Sequence, residues 1–264
     1  MSFIKTPSGI GWFYDFKGEE NPVLFIHGWS FNSSVWFKQI DELSRRFKVI
    51  TLDLPGHGKS EYKRDIDIVL DIKFIIEILK IGKINIVGHS LGGVFALRLA
   101  IKYPKLVDKL ILVSTTAKFA NSIDYNDGLS PEAINKLKGF IGDEYPDILS
   151  VFIRWLFSKA DRREIELRDD FEKVTKISDW PRKEALAEFL EIIERSDLRK
   201  DLGKIVTKTL VVSGTDDPIC SVQSAEYLKD NINNSRIELF SGCGHLPFIT
   251  QYKRFNELIL SFLN

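Results

Sequence analysis

The pentapeptide Gly88-His89-Ser90-Leu91-Gly92 contains a serine that is placed to act as a nucleophile. It follows the apolar run 84–87, which is typical of a buried strand, and it precedes a segment with helical periodicity. A serine in such a sharp turn is exposed above the sheet, and the N-terminus of the following helix favours developing negative charge. We therefore predict that Ser90 is the nucleophile of a covalent reaction.

A serine hydroxyl is a weak nucleophile and requires a neighbouring base. Of the four histidines in the chain, His27, His57 and His89 stand in predicted turns or at strand ends, and we interpret them as turn or loop residues. His245 ends the glycine-containing segment 241–245, which follows the last predicted strand. A flexible loop at that position can carry an imidazole over the serine. We predict that His245 is the general base.

The acid that orients the histidine is expected after a strand that lies between Ser90 and His245 in the sequence. The predicted strand 209–213 is followed by Gly214-Thr215-Asp216-Asp217, so two aspartates compete for this role. The spacing of glycine, two residues and acid favours Asp217. Asp216 is then a loop neighbour that can tune Asp217 electrostatically.

The oxyanion that forms on attack needs two preorganised backbone N–H donors. Leu91 directly follows the nucleophile and supplies one, and the loop after the third strand offers the N–H of Trp29 as the other. We expect the side chains of Trp29, Phe152 and Trp155 to contact the substrate, because ligand pockets are mostly apolar. The reaction requires no metal ion and no organic cofactor, and we predict neither.

The elements that must position these residues alternate between strand and helix, which is typical of a mostly parallel sheet with helices on both faces. Ser33 is predicted to cap the N-terminus of the first helix. Gly82 is predicted to be the C′ glycine that follows the second helix. Strands are predicted at 9–16, 23–26, 48–53, 84–87, 110–114, 209–213 and 236–240, and helices at 33–43, 67–81, 91–103 and about 248–263.

The pattern changes to amphipathic helices, with no convincing strand, over about residues 117–206. Ser130-Pro131 and Trp180-Pro181 each place a proline at a predicted first helical position. We predict a helical cap inserted after the sixth strand, in a single domain that spans 1–264; the alternative is that these helices merely pack on the domain. Aromatic residues recur in the segment: Phe140, Tyr145, Phe152, Trp155, Phe157, Phe171, Trp180 and Phe189.

Composition narrows the class of protein. The 37 basic and 37 acidic residues balance, which argues against a nucleic-acid partner. No apolar run approaches the roughly 20 residues that cross a bilayer, and no signal sequence opens the chain, so we expect a cytoplasmic protein without a membrane partner. For Cys220 and Cys243 we favour free thiols over a disulfide. Composition leaves monomer and dimer open.

The motifs His27-Gly28, 53–60, 88–92, Gly214–Asp217 and Gly244-His245 occur in the order in which the α/β-hydrolase superfamily has them, and the chain resembles this superfamily over nearly its whole length. A narrower resemblance is carried by His27-Gly28-Trp29, Gly92-Gly93, Asp197-Leu198-Arg199 and the segment 245–249. Within the superfamily, the chain is similar to the small carboxylesterases around pimeloyl-[acyl-carrier-protein] methyl ester esterase. The resemblance implies the α/β-hydrolase fold and a carboxylesterase for short- to medium-chain esters, acting through a serine acyl-enzyme.

Several alternatives remain. In the esterase named above, basic cap residues receive an acidic acyl-carrier protein, whereas segment 154–176 here has seven basic and six acidic residues. The activity of that esterase in biotin synthesis is therefore an alternative, and an acyl-carrier protein is a weaker expectation than a small-molecule ester. Dehalogenases and epoxide hydrolases of the superfamily have aspartate in place of Ser90, which argues against both. A C–C bond hydrolase or a thioesterase would keep the same three residues, and a small-molecule receptor is the alternative from another class.

Overall fold

The computed structural model describes residues 2–142, 145–165, 169–175 and 180–264. Within them, one eight-stranded sheet has the order β1-β2-β4-β3-β5-β6-β7-β8. The pairs β1–β2 and β2–β4 are antiparallel and all the others are parallel, which confirms the mostly parallel sheet that the sequence predicted. The strands are β1 Ser2–Lys5, β2 Gly11–Lys17, β3 Val23–Ile26, β4 Val49–Leu52, β5 Ile84–His89, β6 Val107–Val113, β7 Lys208–Gly214 and β8 Ser235–Phe240.

Helices cover the central strands. Every residue of β3, β4 and β5 is buried, as expected for strands that are covered on both faces. α1 packs on α11, and α2 packs on α3, which in turn contacts β5 and β6. The helices are α1 Phe37–Leu43, α2 Ile68–Ile78, α3 Leu91–Lys102, α4 Pro131–Gly139, α5 Ile148–Trp155, α6 Lys159–Ile165, α7 Asp169–Thr175, α8 Lys183–Arg195, α9 Val222–Asn231, α10 Pro247–Thr250 and α11 Tyr252–Leu263.

Three helix ends differ from the sequence prediction. Asn32, and not Ser33, caps the first helical segment, because its side chain accepts the N–H of Ser34; a 3₁₀ turn then leads into α1. After α2, Lys80 rather than Gly82 takes the left-handed conformation, with φ of 53°. The last predicted helix is divided into α10 and α11. The first two differences are shifts of one or two residues along the chain, and the third is a break at Gln251, where the backbone leaves the helical conformation, with φ of −117° and ψ of 42°.

Five described helices, α4 to α8, lie between β6 and β7, where the sequence predicted helices without a strand. Ser130 caps α4 and Pro131 occupies its first turn, as predicted. α8 begins only at Lys183, so Pro181 precedes the helix and its predicted position is wrong. The side chain of Phe171, one of the predicted cap aromatics, lies outside the described residues.

Helix α8 is joined to the loops at the carboxyl edge of the sheet. The backbone N–H of Arg182 donates to the carbonyl of Gly56 at 2.7 Å, and the hydroxyl of Tyr62 donates to the carboxylate of Glu188 at 2.8 Å. These bonds hold the inserted helices over the edge where parallel strands end, which is where open α/β sheets bind ligands. Within the described residues, no helix combines the length and the apolar character that crossing a membrane requires.

Candidate active site

Ser90 stands between β5 and α3 in a strained conformation, with φ of 51° and ψ of −117°. A non-glycine residue in such a region costs about 1–3 kcal/mol, and such residues cluster at functional sites. The turn is very tight: a Cβ on Gly88 would lie 2.6 Å from the carbonyl oxygen of Gly92, and one on Gly92 would lie 2.3 Å from that of Ile26. Both glycines are therefore required by close backbone approach.

Asp217 and His245 are joined through their side chains. Nδ1 of His245 lies 2.9 Å from Oδ1 and 2.8 Å from Oδ2 of Asp217, and both side chains are almost completely buried. Oδ1 also accepts the backbone N–H groups of Ile219 at 2.8 Å and Cys220 at 3.0 Å, which stabilise the carboxylate charge. Asp216 is exposed and accepts a hydrogen bond from Thr215 instead. The structure thus brings the favoured aspartate, and not its neighbour, to the histidine.

The backbone of His245 is held as firmly as its ring. Its N–H donates to the carbonyl of Leu156 at 2.8 Å, and its carbonyl oxygen lies 3.1 Å from Nε2 of His89. Burial, with a smaller contribution from His245, lowers the pKa of His89 well below its usual value. His89 is therefore neutral, and it must carry its proton on Nε2 in order to donate. Sequence reasoning treated His89 only as a turn residue and missed this contact.

The other two histidines, His27 and His57, are buried structural residues, in agreement with their interpretation from the sequence. Nε2 of His27 accepts the backbone N–H of Leu54 at 2.9 Å. Burial lowers the pKa of His27 to about 4 and that of His57 to about 3, so both are neutral near pH 7.

The loop that follows β3 adjoins the nucleophile. A Cβ on Gly28 would lie 2.7 Å from Nδ1 of His89 and 3.2 Å from Cβ of Ser90. Trp29 is the next residue, so its backbone lies close to the start of α3, where Leu91 follows Ser90. The indole N–H of Trp29 donates to the carbonyl of Leu186 in α8 at 3.0 Å. The two predicted oxyanion donors are thus neighbours of Ser90, and their role in catalysis remains a prediction.

A small cavity connects the predicted residues, since Ser90, His245, Trp29 and Phe152 all line it. Trp29 and Phe152 meet edge to face, with ring centroids 5.0 Å apart. Among the described residues that line it, none is a lysine, arginine, aspartate or glutamate. Further apolar side chains complete the wall: Phe31, Phe119, Leu129, Leu137, Ile193 and Ile219.

Trp155, the third residue predicted to contact substrate, is not among those that line this cavity. It is half-buried behind Phe152, with ring centroids 6.3 Å apart, and the ammonium group of Lys136 lies 4.2 Å from its ring centroid. One helical turn separates Phe152 from Trp155, and only the packing of α5 decides which of the two faces the cavity. Arg168, one of the seven basic residues of segment 154–176, lies outside the described residues.

Three side chains that could ligate a metal ion lie close together. Within the described part of the chain, Asp217, Cys220 and His245 bring ligand atoms within 4.8 Å of one another. These atoms already have protein partners, because His245 is bonded to Asp217 and the thiol of Cys220 donates to the carbonyl of Ser114 at 3.2 Å. Burial raises the pKa of the Cys220 and Cys243 thiols, and both cysteines are free. The group thus belongs to the same hydrogen-bonded cluster as the histidine and aspartate.

Comparison with known proteins identifies the family: the chain belongs to the proteins with the alpha/beta hydrolase fold, whose family model matches residues 21–252. It is 29% identical over 240 residues to a pimeloyl-[acyl-carrier protein] methyl ester esterase of Nitrosomonas europaea, covering 90% of this chain and 94% of that protein. It is 30% identical over 270 residues to the AB hydrolase superfamily protein YisY of Bacillus subtilis, covering 99% of this chain and 98% of that protein.

Solved structures agree with this assignment. An esterase from Exiguobacterium antarcticum has a TM-score of 0.90 and 26% sequence identity, covering 99% of this chain and 98% of that chain. The comparisons confirm the predicted fold and the resemblance to the pimeloyl-[acyl-carrier protein] methyl ester esterases. The names of the relatives bear out the predicted class, an ester hydrolase.

Proposed function

We propose that this protein is a serine carboxylesterase that hydrolyses short- to medium-chain esters of small alcohols through an acyl-enzyme on Ser90. The observation that carries the proposal is the buried hydrogen bond between Asp217 and His245. His245 lines the same apolar cavity as the strained Ser90. Curated relatives and a solved structure that are named esterases support the reaction class.

The first half of the reaction is acylation. Asp217 accepts a hydrogen bond from the Nδ1–H of His245, which fixes the tautomer and leaves the lone pair of Nε2 free to take a proton. His245 removes the proton of Ser90 as Oγ attacks the ester carbonyl carbon. The N–H groups of Trp29 and Leu91 stabilise the tetrahedral oxyanion. The imidazolium of His245 then donates its proton to the leaving alcohol oxygen as the ester C–O bond breaks.

Deacylation repeats these steps with water. His245 takes a proton from water, the hydroxide attacks the acyl carbon, and the bond to Oγ of Ser90 breaks as Ser90 recovers its proton from His245. The product is a carboxylic acid. Each group returns to its starting state, so the cycle consumes one water and needs no further reactant.

The lining of the cavity supports an uncharged acyl group. Burying each additional methylene contributes about 0.8 kcal/mol, whereas burying an unpaired carboxylate costs far more. A substrate with a free carboxylate would need a cationic partner in the wall. Among the described lining residues the wall offers apolar side chains, Ser90 and two histidines.

A second candidate is the methyl ester of an acyl chain bound to an acyl-carrier protein. It is favoured by the name of the relative from Nitrosomonas europaea. In that case the ester end would enter the cavity and the carrier would remain outside the cap. We further propose a cytoplasmic location, which the two free thiols support, and action as a monomer or dimer without a nucleic-acid or membrane partner.

The test is covalent labelling with a fluorophosphonate, together with turnover of p-nitrophenyl esters. Wild-type protein should be labelled on Ser90, and Ser90→Ala should lose both labelling and turnover while keeping its thermal unfolding temperature. Ser114→Ala is the matched control, because Ser114 is also buried, has φ of 46° and directly follows the neighbouring strand β6. It should keep both signals. Labelling that persists in Ser90→Ala contradicts the assignment, and labelling without turnover of any ester favours a receptor.

A further inference from the structure

The segment 156–161, between α5 and the first turn of α6, is hydrogen-bonded to the loop 242–245 that carries His245. The hydroxyl of Ser158 donates to the carbonyl of Gly242 at 2.6 Å, and the N–H of Gly244 donates to Oδ2 of Asp161 at 2.6 Å. The N–H of His245 donates to the carbonyl of Leu156 at 2.8 Å. The two consecutive amides before the imidazole are therefore both bonded to the inserted helices.

Asp161 has a double role in this contact. Its Oδ2 accepts the N–H of Ser158 at 3.0 Å while the N–H of Asp161 donates to the hydroxyl of Ser158 at 2.9 Å, which is a reciprocal capping arrangement at the start of α6. The same Oδ2 accepts the N–H of Gly244. The side chain is buried, with 6% of the residue exposed. One buried carboxylate oxygen thus joins the helix start to the histidine loop.

The two segments approach so closely that a side chain at position 244 would not fit. A Cβ on Gly244 would lie 2.4 Å from the carbonyl oxygen of Leu156 and 2.7 Å from the N–H nitrogen of Ser158. Glycine at 244 therefore allows direct backbone contact. Because the amides of Gly244 and His245 are shielded from water here, each depends on its acceptor in the cap, and loss of that acceptor leaves a buried donor unpaired.

We infer that Asp161 is a positioning residue, whose carboxylate holds the Gly244–His245 backbone so that the imidazole of His245 remains aligned between Asp217 and Ser90. The inference rests on the proposed function, in which His245 is the general base. It assigns to the cap a part in orienting the base, in addition to covering the substrate. The planar peptide group between Gly244 and His245 fixes the position of the His245 Cα. An acceptor that holds this backbone therefore also limits where the imidazole can lie.

Leu156 extends this relationship to the substrate. Leu156 is one of the residues that line the cavity, and its carbonyl accepts the N–H of His245. The wall that contacts the acyl group and the support of the base are therefore parts of one turn. The amide of His245 is thus held by the inserted helices, whereas its ring and its carbonyl are held by Asp217 and His89.

The experiment compares Asp161→Ala, Asp161→Asn and Asp170→Ala in the full-length protein. Asp170 is the matched control: it is an equally buried aspartate of the inserted helices, with 7% exposed, and its ion pair with Lys38 at 2.8 Å ties α7 to the core without involving the 242–245 loop. The readouts are kcat and KM for p-nitrophenyl esters, the rate of fluorophosphonate labelling of Ser90, and thermal unfolding.

Asp161→Ala should lower kcat and the labelling rate by about 10- to 100-fold with KM nearly unchanged, because misplacing a reacting group by about 1 Å has effects of this size. Asp161→Asn keeps one oxygen acceptor and should restore part of the loss; it also carries the test if the alanine variant fails to fold. Asp170→Ala should retain wild-type kcat. Wild-type kcat in folded Asp161→Ala, or an equal loss in Asp170→Ala, overturns the inference. If wild-type protein neither labels nor turns over esters, the proposed function itself fails.

Discussion

His89 and His245 lie with their ring centroids 4.8 Å apart, and Nε2 of His89 is 3.1 Å from the carbonyl oxygen of His245. The residue that precedes the proposed nucleophile therefore supports the backbone of the proposed base, although 156 positions separate them in the chain. The amide of His245 is bonded to Leu156 and its ring to Asp217, so its N–H, its carbonyl and Nδ1 each have a protein partner. This bonding restricts the imidazole to a narrow range of orientations.

The first prediction concerns His89. His89→Phe keeps a ring against Trp36 and Phe248 but leaves the buried carbonyl of His245 without a donor. We expect the free energy of unfolding to fall by about 1–3 kcal/mol, the cost of an unpaired buried polar group, and kcat to decrease. Urea denaturation and ester kinetics measure the two effects. His89→Gln, which retains an N–H donor, should lie between the variant and the wild type. Wild-type stability and kcat in His89→Phe would show that the bond is dispensable.

The second prediction separates the two aspartates. Asp217→Asn should reduce kcat/KM by about 10³–10⁴-fold, because an amide at this position favours the wrong tautomer of His245. Asp216→Asn should stay near the wild-type value, since Asp216 is exposed and its side chain, among the contacts described, accepts a hydrogen bond only from Thr215. Steady-state kinetics with one p-nitrophenyl ester are sufficient. Equal losses in the two variants would refute the assignment of the acid.

The third prediction concerns stability at low pH. Burial lowers the pKa of His57 from 6.5 to about 3, so between these values the unfolded chain binds one more proton than the folded chain at this site. Its contribution to stability is complete above about pH 6.5 and is lost as the pH falls toward 3, at about 1.4 kcal/mol per pH unit. His27 acts in the same direction down to about pH 4.

His57→Phe tests this linkage, because the new ring can stack on Phe189 as the imidazole does, with centroids 5.0 Å apart and an interplanar angle of 16°. Between about pH 6 and pH 4.5, the free energy of unfolding should fall less steeply with pH in the variant. The two slopes should differ by about 1.4 kcal/mol per pH unit, which corresponds to one proton. Urea denaturation at several pH values gives both slopes. Identical slopes in the two proteins would mean that His57 titrates normally in the folded state.

The fourth prediction concerns the acyl group. Across a series of p-nitrophenyl esters, kcat/KM should rise by up to about fourfold per methylene over the first few carbons and then fall once the cavity is filled. Phe152→Ala should move the optimum to longer chains, because Phe152 lines the cavity, whereas Trp155→Ala should leave the optimum in place.

Methyl half-esters of dicarboxylic acids should be poorer substrates. A strong preference for these charged esters, lost on substitution of Arg154, Arg162 or Arg163, would contradict an apolar acyl site.

The sequence by itself determined the fold class and the three residues of the proposed reaction. Ser90 was identifiable because its turn requires glycines between a strand and a helix, and Asp217 and His245 were identifiable because each follows a strand whose end reaches the same edge of the sheet. These signals are local, since each depends on a few consecutive residues. The edge strand β1 was not identified, because only Ile4 of its four residues is buried, whereas the equally short β3 is a continuous apolar run.

Only the tertiary structure decided what holds these residues in place. The bonds of Asp161 to Gly244, of Leu156 to His245 and of His89 to His245 join positions that are 83, 89 and 156 residues apart. The Ser158–Asp161 spacing does predict a helix cap, but it carries no information about the loop on which the cap packs. The sequence likewise did not distinguish Phe152 from Trp155, of which only Phe152 lines the cavity. The physical reason is that a catalytic motif requires particular residue types within a few consecutive positions. The orientation of those side chains depends instead on contacts between distant segments, and these contacts exist only once the inserted helices have packed on the sheet.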